Sequence, residues 1–330
     1  MADLTTKYLG LTLKNPIIIG SCSLTSKIED ILQLYSFGTA AIVLNSVFEE
    51  EIMLEMGNTY KNKDEGNSKF LQMTETLKYI RSHTKGNRLS NYLGLIRESK
   101  SKTEIPIIAS INCVTDSGWI GFTRELEKAG ADALELNMFM NPMDDKLEDA
   151  EQMMMKIIKK ALKAVTIPIS IKLGDCYTNL SQTIRKLSAS GIGGLVLFNR
   201  HFVPDIDLYN LRMVPGKMHS CENDYSKSLR WMLFMSKSAG CSLAACTGIH
   251  DANTVLKQIM AGADAVQIVS ALYLNGKSYI QQMLKEIESW LHEKGKFSIQ
   301  QIKGEASYSR NADPSVFERI NFMKYYGRID

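Results

Sequence analysis

Lys172 is the residue of this chain with the sharpest chemical potential. It follows the apolar run Pro168-Ile169-Ser170-Ile171, so it stands at a strand end and not among solvated surface charges. An ammonium there could stabilise negative charge developing on a reduced ring or an enolate, or form a Schiff base if desolvated. Other apolar runs, far away in the chain, end in neutral polar residues: Ser21, Asn45, Ser46, Asn112, Asn137, Asn199, Thr247 and Ser270. Each could simply solvate a strand end. Gathered in one ring they offer many hydrogen-bond donors and acceptors around a single charge, which suits a heteroaromatic ligand better than a metal or a polyanion. Thr247-Gly248 and Val269-Ser270 add small side chains, hydroxyls and backbone N–H groups, the kit of a phosphate site near the last strands of a barrel.

The elements that would gather them follow from the hydrophobic pattern. Eight short apolar runs occur at 16–21, 40–46, 105–112, 133–137, 167–173, 194–199, 242–248 and 265–270. They lack strict alternation, as strands buried on both faces of a parallel sheet do. Amphipathic stretches separate them; in 146–165, Met153, Ile157, Ala161 and Val165 step by four along one helical stripe, and the three-Met run there reads as packing. AGADALELN (129–137) echoes AGADAVQIV (261–269), with Gly130 and Gly262 where a helix would end in a left-handed residue. Pro106 and Pro168 head matched runs two strand-plus-helix units apart. Eight such units close into a (β/α)8 TIM barrel, whose active site lies at the C-terminal strand ends. No GxGxxG recommends an open doubly wound sheet. The long interruptions 47–87 and 200–225, after the second and sixth strands, both leave from that catalytic face.

Composition narrows the function classes. The 330 residues are 45% apolar and 23% charged, with net charge +3 and no basic block, so neither nucleic acid nor an anionic membrane is an expected partner. No run is long enough to span a bilayer, and no signal-peptide pattern opens the chain; the expected location is cytoplasmic. Six cysteines (Cys22, Cys113, Cys176, Cys221, Cys241, Cys246) form no CxxC pair, and the five histidines form no metal-binding spacing. No metal is expected. His201, just past Asn199, is the one histidine placed to face the mouth, and Asp144 and Asp145 are acid–base candidates after the fourth strand.

Taken in order, LKNPIIIGSCS, VLNS, ELN, PISIKL, FN, CTGI and AGADAVQIVSAL resemble the FMN-binding barrel of the dihydroorotate dehydrogenase family of pyrimidine biosynthesis, its soluble branch in particular. The resemblance spans about residues 10–290. It implies an FMN cofactor across the barrel mouth, hydride transfer between substrate and flavin N5, and a homodimer. By position, it places Ser21 and Cys22 beside the flavin, and Asn45, Ser46 and Asn137 in its hydrogen-bonding set. Lys172 falls at the flavin N1/O2 edge, Thr247, Gly248, Val269 and Ser270 at the phosphate, and Asn137 with Asn199 at the substrate.

Departures from that pattern bear on the substrate. Asn45 stands where the family has a lysine. The motif after strand four, N-x-S-x-P-N or N-x-S-C-P-N, supplies the base that takes the substrate proton; here it reads Asn137-Met138-Phe139-Met140-Asn141-Pro142, with no Ser, Thr or Cys from 137 to 149. Met140 cannot serve as a base. The expected protein is an FMN-dependent oxidoreductase acting on CH–CH donors, with a small, heterocyclic substrate class and dihydroorotate itself a poor substrate. A replacement base is sought at Asp144, Asp145 or Tyr60. The alternative is a non-catalytic or electron-transfer flavoprotein subunit serving a redox partner; a lysine aldolase without flavin is a third class. Residues 1–295 are assigned to the barrel and 296–330 to a C-terminal tail packed on it.

Overall fold

A computed structural model describes residues 2–55, 88–113, 116, 119–138, 150–308 and 314–327. Eight parallel strands form the barrel: β3 (Ile17–Ile19), β4 (Ala41–Val43), β6 (Ile107–Cys113), β7 (Ala133–Met138), β8 (Ile169–Leu173), β9 (Gly194–Leu197), β12 (Ser242–Cys246) and β13 (Ala265–Ile268). Each falls on one of the eight apolar runs, β6 and β7 ending one residue beyond theirs. The sheet runs β4-β3-β13-β12-β9-β8-β7-β6, and β4 also pairs with β6, which closes it. A short strand β5 (Val47–Phe48) extends the edge of β6 above β4.

The doubly apolar strands reflect two cores of opposite parity. Ile17, Ile19, Leu134, Leu136, Ile169, Ile171, Leu195 and Leu197 face outward, where they are buried under the surrounding helices. Ile18, Val43, Ile108, Ala133, Val196, Ala244 and Ala265 face inward and form a separate cluster inside the barrel. An N-terminal hairpin of β1 (Thr6–Tyr8) and β2 (Leu11–Leu13) puts Tyr8, Leu9 and Leu13 into that inner cluster. The hairpin is the barrel floor, tied down by the Leu9 N–H donating to Ser242 Oγ at 3.1 Å. With the bottom sealed, the interior opens only toward the C-terminal strand ends, which is where the site lies.

The helix anticipated over 146–165 is Ala150–Ala164. Its fully buried stripe is Met154, Ile157, Ile158 and Ala161, so Met154 and not Met153 heads it, the stripe being wider than a strict step of four. The 200–225 segment holds an antiparallel hairpin, β10 (Pro204–Asp207) with β11 (Arg212–Pro215). The pattern gave no warning of it, because its apolar residues face water: Ile206, Leu208, Tyr209, Leu211 and Met213 are exposed. Toward the C-terminus, Ile299 and Ile302 are buried and the Asp3 N–H donates to the Phe297 carbonyl at 2.8 Å. Among the described residues, no helix is long and apolar enough to cross a membrane.

Candidate functional site

The inward positions of adjacent strands climb toward the mouth in register. On β7 the sequence inside is Ala133, Glu135, Asn137; on β8 it is Ser170, Lys172; Asn137 and Lys172 are direct neighbours across the pair. On β13, Gln267 follows Ala265. Lys172, Glu135 and Gln267 are all buried and meet in the barrel axis. Lys172 Nζ donates to Gln267 Oε1 at 2.9 Å and lies 3.8 Å from Glu135 Oε1. Gln267 Nε2 donates to Glu135 Oε2 at 2.5 Å. Burial opposes the charge on Lys172, but Cys246 and Glu135 beside it outweigh burial and hold its pKa above the ordinary lysine value. Among the described residues, Glu135 Oε1 is buried without a hydrogen-bond partner. That carboxylate oxygen and the Gln267 amide together hold the ammonium just below the mouth.

Above this cluster opens a cavity of about 650 Å³, lined by Ser21, Lys172, Asn199, Cys246, Thr247, Gly248, Gln267, Val269 and Ser270, among others. That volume lies within the ~300–1,000 Å³ usual for cofactor sites. Lys172 and Asn199 share one rim: the Asn199 N–H donates to the Leu173 carbonyl at 2.6 Å, and its Nδ2 donates to Asn137 Oδ1 at 3.0 Å. Ser21 lines the cavity while Ser46 stands behind it, in a hydroxyl chain of Ser21 Oγ to Ser46 Oγ (3.0 Å) and on to Ser110 Oγ (2.8 Å). Cys22 lies next to Ser21 but does not line the cavity; burial raises its thiol pKa despite bonds that lower it.

The same cavity is lined by Thr247 and Gly248, which both adopt left-handed conformations with φ of 74° and 77°. Gly248 is also sterically required. A Cβ there would lie 2.0 Å from the Tyr225 backbone nitrogen, at the start of the helix Tyr225–Met235. Thr247 Oγ1 donates to the Phe198 carbonyl at 3.0 Å. Ser270 Oγ accepts from the Ser220 N–H at 3.0 Å, and Ser220 Oγ meets His250 Nε2 at 2.9 Å. His219 stacks on Tyr273 with ring centroids 5.2 Å apart, and both line the same cavity.

Asn137 does not line the cavity itself but bonds Asn199, which does. Asn45 lines a different cavity, with Arg88, Tyr92 and Glu98; it lies between β4 and β5, where the chain carries one extra residue along the edge of β6. Met140, Asp144, Asp145 and Tyr60 lie outside the described residues. Sequence reasoning missed Glu135 and Gln267. The available signal was a carboxylate and an amide in mid-strand, at ALELN and AVQIV, with the same parity as the residues that reach the mouth.

The dihydroorotate dehydrogenase family profile matches residues 3–291. The catalytic subunit of dihydroorotate dehydrogenase B (NAD(+)) from Thermoplasma acidophilum is 23% identical over 325 residues, covering 93% of this chain and 99% of that protein. The catalytic subunit of the same name from Pyrococcus abyssi is 24% identical over 313 residues, covering 91% and 98%. Dihydroorotate dehydrogenase A (fumarate) from Limosilactobacillus reuteri is 24% identical over 274 residues, covering 80% and 85%.

Proposed function

Because the chain belongs to the dihydroorotate dehydrogenase family, a family of FMN-binding oxidoreductases, we propose that it oxidises a small CH–CH donor with FMN held in the mouth cavity, and that dihydroorotate is a poor substrate. The observation that carries this reading is the buried Lys172–Glu135–Gln267 cluster beneath a cavity that the left-handed Thr247–Gly248 turn also lines. The residues present fit the cofactor. The Lys172 ammonium, held by Glu135 and Gln267, would serve an electron-rich ring edge, and the Thr247–Gly248 turn would offer a hydroxyl, backbone N–H groups and little side-chain bulk to a phosphate. FMN supplies the two-electron acceptor.

The chain's own residues supply the rest. Lys172, Ser21 and Gln267 orient the ring. Ser46 orders Ser21, and Cys22 packs nearby. Thr247, Gly248, Val269 and Ser270 hold the phosphate. Asn137 and Asn199, bonded to each other, present amide groups to the substrate. Asn45, in its separate cavity, takes no part in this scheme. Met140 stands where the family's base would be, and a side chain without an ionisable group costs about 10²–10⁴-fold on that route. A soluble homodimer with residues 296–330 as a packed tail completes the reading.

A second reading has its own support. The relatives from Thermoplasma acidophilum and Pyrococcus abyssi are named as catalytic subunits, and the exposed β10–β11 hairpin offers an apolar surface. On this reading the barrel passes electrons to a redox protein partner. The test is flavin absorbance near ~450 nm in the purified protein, followed by rapid mixing with dihydroorotate. The proposal expects bound FMN and slow bleaching. Absence of flavin even after reconstitution refutes it, and prompt bleaching refutes the poor-substrate clause.

A further inference from the structure

The missing base at 140 raises the question of what could take a substrate proton instead. His201 lines the mouth cavity two residues beyond Asn199. Its Nε2 lies 3.0 Å from Asp175 Oδ1. Asp175 follows β8 directly after Gly174, and the imidazole packs on that glycine: a Cβ at Gly174 would lie 2.9 Å from His201 Cε1 and 3.1 Å from Nε2. A side chain at 174 would push the imidazole from this position. The ring is therefore seated from two directions, by a carboxylate on one edge and by bare backbone beneath.

We propose that His201, oriented by Asp175, is the proton acceptor of this enzyme, replacing the base absent at 140. The inference rests on the flavin oxidoreductase reading above. Asp175 accepts from Nε2–H, so the lone pair is left on Nδ1, which has no hydrogen-bond partner among the described residues. The side chain is 39% exposed, enough to return a proton to water. In the step, a C–H bond next to a carbonyl breaks and its proton goes to Nδ1. The freed electron pair becomes the new C=C bond as hydride departs from the adjacent carbon to the flavin. The carboxylate stabilises the imidazolium that results.

The charged and titratable groups facing the pair are few. Lys227, from the helix Tyr225–Met235, bonds Asp175 Oδ2. The Cys176 thiol lies 3.5 Å from Asp175 Oδ1. Arg200 is turned away onto the carbonyls of Lys217 and Met218, and Lys172 is tied to Gln267 inside the barrel. Lys227 keeps Asp175 ionised from the Oδ2 side, and the imidazole shares Oδ1 with the Cys176 thiol.

The test uses the FMN-loaded protein with dihydroorotate as probe, and His201→Asn and Asp175→Asn as variants. Wild-type flavin bleaching is expected to rise with pH through one ionisation. His201→Asn should lose about 10²-fold or more and the pH dependence with it, regain rate on adding imidazole, and keep its FMN. Asp175→Asn should lose less and shift the profile. Independently of turnover, ¹⁵N-histidine NMR of the apoprotein should show His201 as the Nε2–H tautomer. A wild-type pH profile in His201→Asn, an Nδ1–H tautomer, or no bleaching of wild-type flavin at any pH overturns the inference. Failure of the wild-type protein to bind FMN instead refutes the flavin reading itself.

Discussion

Glu135→Gln should damage the protein far more than the loss of one charge at a surface would. Glu135 is fully buried and Lys172 is 5% exposed, with Nζ and Oε1 3.8 Å apart. At that separation and an effective dielectric near 20, the attraction is about 4 kcal/mol. Removing one partner strands the other in the barrel axis, a change that costs about 3–5 kcal/mol. The glutamine can still accept from Gln267, but its amide cannot balance the ammonium. Urea denaturation of the apoprotein should therefore show a loss of about 3–5 kcal/mol, and thermal scans a fall on the order of 10 °C. The double variant Glu135→Gln with Lys172→Met, which leaves no lone charge, should recover about 2 kcal/mol or more of that loss. A single variant within about 0.5 kcal/mol of wild type, or a double variant with strictly additive losses, would refute the claim that the carboxylate anchors the lysine.

Two further outcomes follow from the geometry. Gly248→Ala must displace the backbone at Tyr225, because its Cβ would sit 2.0 Å from that nitrogen at φ 77°; FMN affinity should fall at least about tenfold, a loss of about 1.4 kcal/mol, measurable by fluorescence titration, and unchanged affinity would remove the Thr247–Gly248 turn from the proposed phosphate site. Burial, reinforced by Asp264, pushes the Cys241 thiol from 9.0 up to about 12. The unfolded chain then releases that proton first, so this stability is fully present below pH 9 and is lost as pH rises through the folded value. Cys241→Ala should flatten the alkaline fall of the urea midpoint, and curves that coincide with wild type from pH 9 to 12 would contradict it.

The barrel was legible because its strands are apolar on both faces, so all eight runs stand out even without alternation. The same property concealed the polar axis. In a strand with no alternation, parity cannot be read until the sheet closes, and Glu135 and Gln267 look like isolated interruptions. Register then turns them inward with Lys172. Asn45 shows the opposite failure: a polar strand end was expected at the mouth, but one extra residue between the pairings of Val43 and of Val47 with β6 breaks the alternation there, and Asn45 lines a separate cavity. The β10–β11 hairpin left no periodic trace because its apolar side chains are exposed. His201 stood out by its distance from Asn199, whereas its partner Asp175 emerges only when the ends of β8 and β9 lie side by side.

Titration of the apoprotein with FMN, followed by quenching of flavin fluorescence, tests the central claim most directly. Wild type should bind one FMN per chain, and the variant lacking both charges, Lys172→Met with Glu135→Gln, should bind it at least about tenfold more weakly while remaining folded. Equal affinity in the two proteins, or no saturable binding to wild type, would contradict the assignment of the mouth cavity as a flavin site anchored by Lys172.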